Sequence, residues 1–175
     1  MTEHLKEFIR AVPDFPKKGI MFRDITTLIG SGEKFKSVID ELVKRYEKSN
    51  IDYIVSIESR GFIFGSVLAY VLGCGFIPVR KKGKLPCDTY EVSYGLEYGT
   101  DILTIHKDAF QKGKRVLLLD DLLATGGTTR AGIELVNKLG GKIVEAVFVI
   151  ELEFLKGREK IKDVPVFSLV KYDKE

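Results

Sequence analysis

Asp120 and Asp121 follow the solid apolar run of residues 116–119, and the turn Ala124-Thr125-Gly126-Gly127-Thr128-Thr129 follows them within a few positions. Glycines let backbone N–H groups come close to an anion, and threonine hydroxyls add donors. A helix opening at that point adds the positive end of its dipole. Ala124, Thr125, Gly126, Gly127 and Thr128 therefore read as a phosphate cradle. Two carboxylates beside a phosphate would repel it, so Asp120 and Asp121 should face something hydroxylic or cationic on the same ligand. A phosphorylated sugar meets both demands, with phosphate in the turn and ribose hydroxyls on the acids. The turn lacks the Gly-Lys-Ser/Thr ending of a Walker A loop, and the chain has no GxGxxG dinucleotide turn.

Other groups of chemical interest lie elsewhere. Ser59-Arg60-Gly61 closes the β-rich run 51–57, where a guanidinium fork can donate to phosphate oxygens. Arg80-Lys81-Lys82-Gly83-Lys84 places four cations in five residues at the end of a second apolar run. The stretch 83–99, glycine at both ends, is long enough to act as a lid. Near its end, Glu97-Tyr98 supplies a carboxyl able to move a proton if burial raises its pKa. Phe22, between Met21 and Arg23, offers an aromatic face of the kind that stacks on a base. Cys74 and Cys87, with only His4 and His106 beside them, make neither a disulfide scaffold nor a Cys/His zinc site. His106 falls in an alternating segment and reads as structural.

These residues need a frame that brings them together. Residues 2–12 and 33–48 read as helices; in the second, Phe35, Val38, Ile39, Leu42, Val43 and Tyr46 form one stripe. Strands are expected at 51–57, 76–80, 115–119, 143–152 and 166–170, with helices at 62–72 and 128–139. Segments 90–93 and 101–106 alternate like an antiparallel pair. Strand–helix–strand succession argues for an α/β fold with a mostly parallel sheet, whose ligands bind beyond the carboxyl ends of the strands. The 175 residues fit one domain with a sufficient core. Lys plus Arg number 28 and Asp plus Glu 25, a net charge of only +3, which is not the footprint of a nucleic-acid binder. No apolar run approaches the ~18 residues of a membrane span, and the first ten residues carry no signal core, so a cytoplasmic domain is expected.

The string Asp-Asp-Leu-Leu-Ala-Thr-Gly-Gly-Thr closely resembles the phosphoribosyl-diphosphate motif of the type I phosphoribosyltransferases, in its adenine-using form. Phe22-Arg23-Asp24-Ile25, Ser59-Arg60-Gly61-Phe62, Arg80-Lys81-Lys82-Gly83-Lys84-Leu85-Pro86, Leu96-Glu97-Tyr98-Gly99 and Leu155-Lys156-Gly157-Arg158-Glu159 agree, in family order. The resemblance implies a five-stranded parallel sheet flanked by helices, with a small N-terminal hood (about 1–32) holding the base. It implies transfer of phosphoribose to adenine, giving AMP and diphosphate. Ser59, Arg60, Arg80, Lys81 and Lys84 would hold diphosphate. Met21, Phe22 and Arg23 would hold adenine, through the Phe22 ring and the neighbouring backbone. Glu97 would handle the purine proton, with Tyr98 beside it in the lid. Mg2+ would come with the sugar diphosphate rather than through direct protein ligands, and the chain would be a homodimer. Two rival readings use the same motifs: a 6-oxopurine transferase, and a regulatory module that binds the sugar phosphate without chemistry. The second usually carries a DNA-binding domain, for which the 175 residues leave no room.

Overall fold

In the computed structural model, residues 3–95 and 100–174 are described. The hood comes first: a 3-10 turn, Glu3–Phe8, then strand β1 (Arg10–Val12) paired antiparallel with β2 (Phe22–Asp24), and the short helix α1 (Thr26–Ile29). The remaining elements are α2 (Gly32–Tyr46), β3 (Tyr53–Ile57), α3 (Arg60–Leu72), β4 (Gly75–Lys81), β5 (Thr89–Gly95) and β6 (Thr100–His106), followed by β7 (Arg115–Leu123), α4 (Gly127–Lys138), β8 (Lys142–Leu152) and β9 (Val166–Tyr172). A helix over 2–12 does not form. Val12 precedes Pro13, which disfavours helical backbone at that residue. Residues 10–12 instead pair with β2, and Arg10 bridges Asp24 at 2.6 Å.

The main sheet has the order β5-β6-β4-β3-β7-β8-β9. Its five strands from β4 to β9 are mutually parallel, and β6 and β5 extend the β4 edge antiparallel. The family's five-stranded sheet is thus present, widened by the hairpin that the alternation at 90–93 and 101–106 announces. Part of the expected lid is therefore ordered strand, since Thr89–Gly95 is β5.

Both faces of the sheet are covered. Leu117 and Leu119 of β7 pack with Leu42 of α2, Phe64 and Leu68 of α3, and Leu28 of the hood. Val116 and Leu118 point the other way, onto Ala131, Ile133 and Leu135 of α4. Strand geometry alternates side chains between faces, so one apolar run fills two cores, each fully buried leucine contributing about 1.5–3 kcal/mol. The buried stripe of α2, Val38, Ile39, Leu42 and Tyr46, follows the helical period. Strand β7 does not stop at the acids; it runs to Leu123, because Leu122 and Leu123 continue the ladder opposite Ile150 and Glu151 of β8. Asp120 and Asp121 therefore sit inside the strand rather than in the loop after it. Among the described residues, no helix is long and apolar enough to cross a membrane.

Candidate active site

The carboxyl ends of β3 and β7 open side by side onto a cavity of about 340 Å3. Its walls are Glu58, Ser59 and Arg60 after β3, Asp120, Asp121 and Leu122 of β7, the turn Ala124 to Thr129, and Tyr94 of β5. The sheet thus brings together Ser59, Arg60, both acids and the whole glycine turn, which are separate segments in sequence. The Glu58–Ser59 peptide is cis, and Ser59 is the N-cap of α3, so Arg60 opens that helix at the cavity mouth.

The turn's shape comes from backbone alone. Gly126 has φ +79°, a left-handed conformation that glycine adopts without cost, and it is the N-cap of α4. A Cβ there would collide with the Gly157 carbonyl oxygen, and a Cβ on Gly157 would collide with that of Ala124. The two loops lie backbone against backbone. Gly127 faces the Gly95 carbonyl, which a Cβ would approach to 3.3 Å. The first turn of α4 directs its N–H groups, unpaired within the helix, toward the cavity, as an anion site requires.

The two acids are not equivalent, although sequence alone treats them as a pair. Arg60 bonds Asp121 at 2.8 Å, and the Asp121 side chain is only 5% exposed. Asp120 is half-buried and lines the cavity; among the described residues it has no ion-pair partner. Burial, then the charge of Asp121, pushes the Asp120 carboxyl well above the usual carboxylate range. Burial also raises Asp121, against the opposing pull of Arg60. Asp120 Oδ1 accepts from the Asp121 backbone N–H at 2.9 Å, and the carboxyl, lining the cavity without an ion pair, offers hydrogen-bonding chemistry that a sugar hydroxyl matches as donor or acceptor.

Arg80, Lys81 and Lys84 lie beside this cavity rather than in its wall, and each is already paired. Glu58, with 4% of its side chain exposed, accepts from Arg80 Nε at 2.7 Å and Lys84 Nζ at 3.0 Å, and from the Lys81 backbone N–H at 3.1 Å. Burial works against ionisation of Glu58, but these donors outweigh it and hold the carboxyl below its ordinary range. Lys81 Nζ bonds Asp101 of β6 at 2.8 Å. Glu58 is a site residue that sequence reasoning missed. Its partners are 22 and more residues away, and only the β3–β4 register, with Ile57 opposite Val79, makes them neighbours. Tyr94 was missed too: the alternation read from the sequence stops at residue 93, whereas β5 runs on to Gly95.

The hood approaches from the side. Phe22 stands under the Arg60 guanidinium, 5.6 Å from its ring centroid, and meets Phe15 edge to face at 5.1 Å. Met21 is not in the cavity wall; it lines a hollow of the hood with Pro13, Asp14, Gly19 and Ile20. The Arg23 side chain turns away and stacks on Tyr172 at 4.1 Å, leaving its backbone on the β1–β2 hairpin. Glu97 and Tyr98 lie outside the described residues. His106 meets the Pro86 carbonyl at 2.5 Å, pinning the segment before β5.

Residues 26–174 match the family model of the phosphoribosyl transferase domain. The adenine phosphoribosyltransferase of Chloroflexus aurantiacus is 57% identical over 170 residues, covering 97% of this chain and 98% of that protein. The crystal structure of the Thermoanaerobacter pseudethanolicus adenine phosphoribosyltransferase superposes with a TM-score of 0.94 at 50% identity, covering 98% of this chain and all of that one. The Saccharomyces cerevisiae enzyme, solved with adenine and an imino-altritol bisphosphate, gives 0.92 at 43% identity, over 97% and 98% of the two chains. The family model matched over residues 26–174, and the near full-length likeness to these enzymes in sequence and fold, place the chain in the phosphoribosyl transferase family, to whose adenine phosphoribosyltransferase branch it belongs.

Proposed function

We infer that the chain transfers the 5-phosphoribosyl group of 5-phospho-α-D-ribose 1-diphosphate to adenine, giving AMP and diphosphate, a reaction of purine salvage. One observation carries the reading: a single cavity joins a backbone phosphate cradle, a carboxyl without an ion pair and an arginine that also covers an aromatic ring of the hood. Phosphate and sugar hydroxyl find matching chemistry within it, and the base finds the Phe22 ring beside Arg60. The 5-phosphate takes the N–H groups of Ala124 to Thr128, and the ribose hydroxyls take Asp120 first, Asp121 being held by Arg60. The base lies against Phe22, its edge read by backbone groups of Met21 and Arg23. Ser59, Arg60, Arg80, Lys81 and Lys84 surround the diphosphate.

In the reaction the C1–O bond to diphosphate breaks with its electron pair on the leaving oxygen. N9 of adenine closes the new bond from the opposite face, and the N9 proton departs. Positive charge gathers on the ribose meanwhile, so placement and electrostatics supply most of the acceleration. Glu97, with Tyr98 beside it in the lid, is proposed to take the proton, and closure of the lid excludes water that would hydrolyse the activated sugar. Mg2+ fits as an ion carried by the diphosphate. Glu58 and Asp121 are occupied by cations, and Asp120 alone among these acids presents a carboxyl without one. When bound, the ion neutralises the leaving group. The chain is proposed to act in the cytoplasm as a homodimer.

The test is diphosphate release with adenine, hypoxanthine, guanine and xanthine in parallel. A 6-oxopurine presents a donor where adenine presents an acceptor, and each mismatch in a buried pocket costs about 1–3 kcal/mol. Strong preference for adenine is expected. Comparable kcat/KM with any 6-oxopurine overturns the assignment.

A further inference from the structure

We propose that Arg158 is a positioning residue for the sugar 5-phosphate: it never meets the ligand, but holds Gly157 against the underside of the phosphate turn. The proposal rests on the reading of Ala124 to Thr128 as the 5-phosphate site. Gly126 and Ala124 pack against Gly157 backbone to backbone, with no room for a Cβ between them, so the turn rests directly on residue 157. Gly157 opens a one-turn 3-10 helix, Gly157–Lys160, directly after Lys156 at φ +54°. What fixes this turn is Arg158. Its guanidinium donates to both oxygens of Glu151, at 2.6 and 2.7 Å, and to the Val166 carbonyl at 3.1 Å. Glu151 is 3% exposed and also accepts from Ser168 Oγ at 2.7 Å. Burial disfavours its charge, yet the Arg158 and Ser168 bonds keep the carboxyl below its ordinary range.

Glu151 stands opposite Leu123 in the β7–β8 ladder, one residue before the phosphate turn begins. The links thus form a closed circuit: β7, phosphate turn, Gly157, Arg158, Glu151, and back to β7. Neither glycine has a side chain with which to hold the other in place. The planar fork of Arg158 supplies the rigidity, because it spans two carboxylate oxygens and a carbonyl at fixed angles, which a lysine ammonium cannot do. If the circuit opens, the N–H groups of the turn lose their common aim, and losing one hydrogen bond to a charged phosphate costs roughly 10- to 100-fold in affinity.

The test compares the full-length wild type with Arg158→Ala and Arg158→Lys. Ribose 5-phosphate is titrated calorimetrically, and KM is measured for both substrates. Arg158→Ala is expected to weaken ribose 5-phosphate roughly 10- to 100-fold and to raise KM for the sugar diphosphate, with KM for adenine unchanged. Added methylguanidine should restore part of the affinity. Unaltered ribose 5-phosphate affinity, or an equal loss toward both substrates, overturns the proposal. If Arg158→Ala does not fold, Arg158→Lys decides: weaker phosphate binding at unchanged adenine KM supports the proposal, and wild-type affinity refutes it. Failure of the underlying reading looks different, since the wild type itself would then not bind ribose 5-phosphate, and the proposal falls with it.

Discussion

The two groups of residues proposed to hold anions, the turn in the cavity wall and the cations beside it, are built on opposite plans. The phosphate turn has no charged side chain of its own; its geometry is locked by Gly126 and Gly157 in direct backbone contact. The group proposed for diphosphate relies on charged side chains, and its cations are neutralised from within: Arg80 and Lys84 by Glu58, Arg60 by Asp121, Lys81 by Asp101. A 5-phosphate stays attached through the reaction and rewards a rigid cradle. Diphosphate must arrive with the sugar and leave alone. Cations that already have internal partners can release it without being stranded unpaired in a partly buried place, which would cost more than the lost bond itself.

The largest expected effect breaks the rigid half. Gly126→Ala puts a methyl group into the Gly157 carbonyl and strains a left-handed residue. Ribose 5-phosphate affinity should fall by about 100-fold or more, as read by calorimetry, while diphosphate affinity changes little. A folded variant with wild-type phosphate affinity would show that the turn does not depend on this backbone contact.

The same contrast explains what the sequence discloses. The rigid half is contiguous, so acids, glycines and threonines announce a phosphorylated sugar before any fold is known. The support beneath it is not: Gly157 and Arg158 form a recognisable segment, but nothing local reveals that they sit under residue 126. The cation half shows its charges plainly and hides their partners. Arg60 faces Glu58 in sequence and Asp121 in space, and Glu58 serves β4 instead. The sheet itself is readable because buried parallel strands are continuous apolar runs. The first twelve residues mislead because a polar, mixed segment satisfies helical spacing while Pro13 and the pairing with β2 decide otherwise.

A smaller effect concerns the carboxyl between the halves. The fold raises the proton affinity of Asp120 above that of an unfolded carboxyl. Ionised Asp120 therefore costs stability, a cost absent below the ordinary carboxylate range and complete once pH exceeds the raised value. Asp120→Asn should stabilise the chain by about 1 kcal/mol at neutral pH, with the gain shrinking as pH falls, and should weaken AMP binding. Denaturant melts at several pH values read the first effect and calorimetry the second. A variant less stable at neutral pH would mean that the carboxylate is held by favourable contacts instead.

The most direct test of the contrast is Glu58→Gln, titrated separately with diphosphate and ribose 5-phosphate. The amide keeps the shape of the buried side chain and removes the charge that competes for Arg80 and Lys84. Removing one unit charge about 4 Å from the ligand is worth about fivefold at the dielectric of water and more in a partly buried place, so diphosphate should bind at least about fivefold tighter. Ribose 5-phosphate affinity should stay at the wild-type value. Weaker or unchanged diphosphate binding, or a parallel shift for ribose 5-phosphate, would contradict the division of the proposed site into a backbone cradle and a neighbouring set of internally neutralised cations.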